Sequence, residues 1–345
     1  MGPEVSTLAR QVLEEGGVAA AGYAPLAPMW FDARMAARQV ARGEGIEGHF
    51  TFRHPALSAS LTRRTPWARW HLTVALGYDL PACADGPAVA GYAQEDLYGS
   101  LRGLLEHVRT LVREAGGRAM VVADSNLAFD KALARRAGIG VVGRHTMILV
   151  PGYGARVVLG SLVTDEPLPI VLGPRFARHP CGTCQRCVSG CPVGALTAPG
   201  VLDATRCIAS LLQEPTLARS ARRAVGTRVY GCDECLRACP IGASHERTSS
   251  SSPSWLLDAS DEEILRRAGH WYLPSRAPFY AKRNLVIALG NSGDESNRAA
   301  LARAWCDSDP RLRREALRSW LRLHTGKRRL RSPRLDKGEP ACDTR

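Results

Sequence analysis

The stretch that decides the fold is Pro180-Cys181-Gly182-Thr183-Cys184-Gln185-Arg186-Cys187-Val188-Ser189-Gly190-Cys191-Pro192. It is answered downstream by a lone Cys207 and by Cys232-Asp233-Glu234-Cys235-Leu236-Arg237-Ala238-Cys239-Pro240. The first run reads C-x2-C-x2-C-x3-C-P, the bacterial ferredoxin spacing, in which three close thiolates wrap one iron–sulfur cube and the fourth, turned away by Pro, reaches another. The second run keeps C-x2-C-x3-C-P without the middle Cys, a place that Cys207 fills. Counting gives Cys181, Cys184, Cys187 and Cys239 to one 4Fe-4S cluster, and Cys191, Cys207, Cys232 and Cys235 to the other. Two four-cysteine zinc sites are the alternative, since zinc also takes C-x2-C pairs. The x3-C-P ending, present twice, favours iron.

The 345 residues suffice for one large domain or two to three smaller ones, and a hydrophobic share of 45% is ordinary for a globular chain. Of eleven Cys, those outside the array are Cys83, Cys306 and Cys342, scattered and without a disulfide-like arrangement. A reducing cytoplasm is expected. No leader pattern and no apolar run long enough for a bilayer is read, so no membrane partner is expected. Met1–Ser6 formally fits a myristoylation pattern, but Pro3 beside Gly2 makes that a chance match. The net charge of +13 points to an acidic partner, usually nucleic acid. Residues 311–345 hold twelve Lys/Arg against four acids. An Arg-rich solvated face with a tail is the equal alternative from charge alone.

Periodicity predicts helices over 4–15, 32–42, 95–114 and 127–137, and strands over 18–23, 70–78, 118–123 and 156–163. Asp124 falls where a strand stops, with Asp124 or Ser125 as N-cap of the next helix. The alternation argues for an α/β domain over residues 1–170, with ligands at the carboxyl ends of its strands. Residues 171–247 form the double-cluster, ferredoxin-like domain, followed by a Ser-rich linker at Ser249–Pro253. From 254 to 325 the pattern is helical, and helix pairs with an Asp309-Pro310 start resemble a HEAT repeat. Residues 326–345 form a basic tail expected to be disordered. The fold class is thus mixed, α+β with an α/β N-terminal domain.

Taken together, these features resemble the epoxyqueuosine reductase family over nearly the whole chain. The resemblance rests on Ala137-Gly-Ile-Gly-Val-Val-Gly-Arg144-His-Thr-Met-Ile-Leu149, Tyr153-Gly154, Leu159-Gly160 and Leu162-Val-Thr-Asp165. It continues in the first cysteine run, Leu202-Asp203, Arg206-Cys207-Ile208, Val229-Tyr-Gly-Cys-Asp-Glu-Cys235, Lys282-Arg-Asn284 and Ala288-Leu-Gly-Asn-Ser-Gly-Asp294. The resemblance implies base-off cobalamin beside two 4Fe-4S clusters, removing the epoxide oxygen of epoxyqueuosine in the tRNA anticodon. It implies a general acid at Asp124 and corrin contacts at Arg144, His145, Ile148, Leu159 and Glu214, with no protein imidazole on the cobalt. It also implies tRNA held by the basic C-terminal helices, an external electron donor, and a monomer. Other readings weigh Asp124 as a simple helix cap, Ile148 and Leu159 as core, and Arg144 as a surface charge.

Three departures bear on the substrate. Ser125-Asn126 follows Asp124 where the family has Thr-Gly. Ala90-Gly-Tyr-Ala-Gln-Glu95 replaces a segment with two Arg. Cys239-Pro-Ile-Gly replaces Cys-Pro-Trp-Asn. Gly91 and Glu95 cannot hold phosphate as Arg does. The alternatives are a cobalamin and iron–sulfur reductase of another substrate, as in reductive dehalogenases, and a ferredoxin-like electron carrier without catalysis of its own.

Overall fold

Trp70–Gly77 (β2) and Val157–Thr164 (β4) carry apolar or small residues on both faces, and the computed structural model places them in the middle of a four-stranded sheet. The model describes residues 3–45, 55–81, 86–242, 246–247 and 252–325. Cys83, Cys342, Gly2 of the myristoylation pattern, most of the Ser-rich linker and the basic tail lie outside the described residues.

With Ala20–Pro25 (β1) and Ala119–Ala123 (β3), the sheet has the order β1-β2-β4-β3. Every adjacent pair is antiparallel, for example Leu72 opposite Leu162 and Val122 opposite Ser161. The expected α/β domain is corrected by this pairing. β2 and β3 run parallel, joined through a helix, but β4 inserts between them, so the domain is α+β. Alternating elements in a sequence do not say that a later strand will enter the gap.

One sheet face is covered by Pro3–Glu15 (α1) and Leu97–Glu114 (α3), whose Leu101, Leu105, Val108 and Val112 are fully buried against Leu72, Val74, Val158 and Leu162. The carboxylate of Asp96 starts α3 by accepting the Gly99 N–H at 2.7 Å. Gly160 lets α3 come close, since a Cβ there would sit 2.8 Å from Leu105 Cδ1. The other face meets Asp130–Arg136 (α4) and, through Met29 and Ala33, Trp30–Ala41 (α2). On that face His71, Thr73 and Ser161 form a buried chain, with His71 Nδ1 to Thr73 Oγ1 at 3.0 Å and Thr73 Oγ1 to Ser161 Oγ at 2.8 Å.

The cysteine region is stitched to this sheet domain. Arg228–Tyr230 pairs in parallel with Ala88–Val89, and Glu246–Arg247 with Leu80–Pro81. Beyond it, Asp261–Arg267 (α5), Phe279–Asn291 (α6), Arg298–Trp305 (α7) and Pro310–Thr325 (α8) share a core built on Leu285, Val286, Leu289, Leu301, Leu312 and Ala316. α6 is buried nearly all round because the cysteine region covers its other side. Asn284 Nδ2 donates to the Leu212 and Val229 carbonyls at 2.9 and 3.0 Å, and the buried Arg283 donates to the Leu212 and Glu214 carbonyls.

Burial, with a smaller push from Arg136, lowers the His71 pKa from 6.5 to about 4. A histidine held neutral in the fold but free to charge when unfolded stabilises above pH 6.5, and that contribution is lost as pH falls toward 4. Urea melts between pH 7 and 5 should show stability falling over this window, and His71→Asn should flatten the slope.

Candidate functional site

The array closes around two short helices, Arg186–Ser189 and Glu234–Arg237, each framed by a C-x2-C pair and a C-P step, which pack on each other. Gly190 permits the approach, since a Cβ there would lie 2.7 Å from that of Ala238. Cys181 and Cys187 are buried and the other six array thiols half-buried. Burial is the first cause raising the Cys187 and Cys239 thiols, followed by mutual influence among Cys187, Cys239, Cys181 and Cys184. Burial likewise raises Cys207, then Cys191 acts on it, while Cys235 is raised by burial and then by Cys232, Cys207 and Cys191. Cys187 and Cys239 thus lie near Cys181 and Cys184, and Cys207 and Cys235 near Cys191 and Cys232.

The donor chemistry suits iron–sulfur clusters. Backbone amides aim at the sulfurs, as in Ala195 N–H to Cys191 Sγ at 3.2 Å. Desolvation raises the Cys232 thiol to about 11 against the pull of Arg228, and bound iron would reverse that by its own charge. Among the described residues no three His, Cys, Asp or Glu groups draw in around a single point as a mononuclear ion requires. A cubane asks for wider spacing, because each thiolate binds a different iron.

Asp124 follows the last residue of β3 and has φ 46°, a left-handed conformation that costs an Asp energy and persists only where the surroundings impose it. This turn delays the next helix to Asp130, with Phe129 as its N-cap and no side-chain cap bond, so Asp124 and Ser125 do not cap it. The expected cap is corrected, and the Asp124 carboxylate is released from that duty. It stands instead at the mouth of a cavity of about 170 Å³ lined with Tyr92, Tyr98, Tyr230, Tyr272 and Gln213. Asp124 is solvent-exposed, yet enough protein crowds its carboxyl to raise its pKa by desolvation, against the pull of Arg102. Arg102 is held by donating to the Ala123 carbonyl at 2.8 Å.

Behind Asp124 lies Asp130, whose Oδ1 is buried without a partner. Burial first, and then the Asp124 charge, push its carboxyl up to about 8, opposed by Lys131. Tyr230 stacks on Trp271 at 4.8 Å, and its hydroxyl accepts the Tyr272 N–H at 2.6 Å. The tyrosines, Gln213 and Asp130 are residues that sequence reasoning missed. They come from separate segments with no shared spacing, although Tyr230 sits inside the quoted Val229–Cys235 stretch and Glu95, noted as a departure, also lines the cavity.

The glycine-rich segment lies between the sheet and the first cysteine loop. Arg144 donates to the Gly182 carbonyl at 2.5 Å, and its own carbonyl accepts the Gly200 N–H at 2.7 Å. His145 is buried, and its Nδ1 accepts the Met147 N–H at 3.1 Å, which puts the proton on Nε2. That Nε2 is buried without a partner. Desolvation and then Lys131 lower the ring pKa to about 4, so it is neutral near pH 7. Ile148 and Leu159 are brought together in one core cluster with Ala20, Ala75, Ala134 and Ala137. Glu214 stands apart from that cluster and does not line the cavity, where its neighbour Gln213 does. The Gln213 Oε1 on the cavity wall is buried without a partner, an acceptor that a carboxamide on the rim of a corrin would satisfy.

Gly154 has φ +63°, and a Cβ there would lie 2.0 Å from the Ile241 carbonyl oxygen, two residues past Cys239. Gly154→Ala should therefore lower the melting temperature and the iron retained on purification, costing at least about 2 kcal/mol. Iron assay and thermal melts check this.

The family model for the 4Fe-4S double cluster binding domain matches residues 180–242. The chain is 35% identical over 225 residues to the epoxyqueuosine reductase of Xanthomonas campestris, covering 58% of this chain and 59% of that protein. It is 33% identical over 195 residues to that of Bacillus subtilis, covering 52% and 49%. In sequence the chain thus spans about half the length of these curated relatives. A crystal structure of epoxyqueuosine reductase with a tRNA-Tyr epoxyqueuosine-modified stem loop matches with TM-score 0.76 and 25% identity, over 92% of this chain and 91% of that one. The epoxyqueuosine reductase from Streptococcus thermophilus matches with TM-score 0.80 at 19% identity, over 93% and 91%, a likeness of fold alone. Residues 180–242 thus match the double 4Fe-4S cluster domain, and the chain is similar to the epoxyqueuosine reductases over about half its length in sequence and over nearly all of it in fold.

Proposed function

We propose that the protein is a reductase that removes the epoxide oxygen of epoxyqueuosine in tRNA. The observation that carries this reading is the strained Asp124, its carboxyl pKa raised by desolvation, on the wall of a tyrosine-lined cavity that Gln213 and Tyr230 of the cysteine region also line. Turning an epoxide into an alkene and water takes two electrons and two protons. Bound clusters and cobalamin supply the electrons one at a time. Cys181, Cys184, Cys187 and Cys239 hold one cluster, and Cys191, Cys207, Cys232 and Cys235 the other. Arg144, His145, Ile148, Leu159 and Glu214 would hold the corrin, with Gln213, next to Glu214, on the cavity wall.

The chain's own groups do the rest. The tyrosines sandwich a planar base and keep water out. Asp124 delivers a proton to the departing oxygen as general acid. Desolvation raises its pKa against the pull of Arg102, the direction a proton donor needs, and the Asp130 carboxyl behind it is raised by burial and by the Asp124 charge. Arg219 and Arg223 crowd Arg322 of α8, whose pKa is lowered first by burial and then by these charges. This basic surface suits a tRNA backbone. Such a role belongs in the cytoplasm, with an external electron donor and a monomeric enzyme. Among the described residues no helix is long and apolar enough to cross a membrane.

Glu95 in the cavity wall favours a second reading, the same reductive chemistry on a different substrate. Anaerobic reconstitution with cobalamin, incubation with epoxyqueuosine-containing tRNA and nucleoside analysis separate the two, since unconverted tRNA rejects the first reading. Asp124→Asn should abolish turnover and leave iron and corrinoid content unchanged. In the parent protein, turnover should fall as pH rises through the raised carboxyl pKa. Cys207→Ser should leave roughly half the iron and sulfide, one cluster being lost and the other kept.

A further inference from the structure

A second cavity, of about 250 Å³, lies directly against the first and shares Ala93 and His270 with it. The partition is fixed, because the Ala93 carbonyl accepts Trp271 Nε1–H at 2.9 Å and lies 3.0 Å from His270 Nε2. The second cavity is also lined by Trp255 and Arg267, whose guanidinium lies 3.7 Å from the indole centroid. Trp255 is half-buried and rests on the core of the C-terminal helices, so its ring is held in place. Arg267 is exposed and shares Glu263 at 3.8 Å.

An indole with a guanidinium plane across it is a stacking platform for a nucleobase, and stacking is indifferent to base identity. A single nucleoside in the Asp124 cavity has no use for such a neighbour. A polynucleotide does, because the adjoining base is tethered one phosphodiester away and has to lie somewhere. We propose that this cavity takes the base next to the modified one in single-stranded RNA, stacked on the outer side of the Arg267 guanidinium, which Trp255 backs. This rests on the RNA reading above.

The test measures binding of a fluorescent epoxyqueuosine-modified stem loop to the full-length, cluster-loaded protein, and needs no turnover. Trp255→Ala should weaken binding roughly tenfold, and Trp255→Phe should keep most of it. An abasic residue on one side of the modified nucleoside should weaken binding to the parent protein about as much, with no further loss on adding Trp255→Ala. Equal affinity of parent and Trp255→Ala for intact RNA overturns the proposal, as do losses that simply multiply. Should Trp255→Ala melt early, Arg267→Gln on the exposed partner gives the same comparison, with a several-fold loss expected and an unchanged affinity overturning it. RNA bound in this way without conversion of epoxyqueuosine would strike the reaction and leave the cavity standing. Conversion with affinity indifferent to Trp255 and Arg267 would strike the cavity alone.

Discussion

Sulfur ligands gathered from distant parts of a chain repel one another as soon as they ionise, so something else has to hold them in place. Here Cys181, Cys184 and Cys187 meet Cys239 across more than fifty residues, and Cys191 meets Cys207, Cys232 and Cys235. The loops that carry them have little apolar area of their own. Their positions come from neighbours: Gly190 against Ala238, Arg144 on Gly182, and the Gly154 backbone pressed on Ile241. From the far side, Arg283 and Asn284 of α6 grip the Leu212, Glu214 and Val229 carbonyls. The sheet domain and the helical region act as the two jaws of one clamp.

Much of this was legible in the sequence. α3 could be placed from the steps of its leucines, and the four sheet strands from their apolar runs, because in each case a buried face repeats with the element's own period. The double-cluster character of residues 180–242 could be read because ferredoxin-type spacing is dictated by the shape of a cube. The antiparallel insertion of β4 could not be read, since strand order is decided by long-range pairing that leaves no local mark. The start of α4 was misplaced for a related reason. An Asp before an apolar run reads as a cap, and only the backbone shows that Asp124 turns left-handed and leaves the helix to begin at Asp130.

The cavity shows the same limit more sharply. Asp124 could be singled out at a strand end, yet its tyrosine walls come from the Tyr92 turn, the start of α3, the strand through Tyr230 and the loop at Tyr272. Each of these tyrosines alone would pass for ordinary core. Glu95 marks the other side of the lesson. It was noticed as a missing positive charge, and the fold turns that omission into a carboxyl group in the cavity wall.

Tyr230 belongs at once to the cavity wall, to the parallel pairing with Ala88–Val89, and to the residues two steps before Cys232. A single short segment therefore spans metal chemistry, inter-domain cohesion and ligand recognition. Oxygen damage at that cluster would not stay local. It would slacken the seam and let the aromatic wall drift, so that an oxidised molecule would lose its grip on ligand along with its electrons.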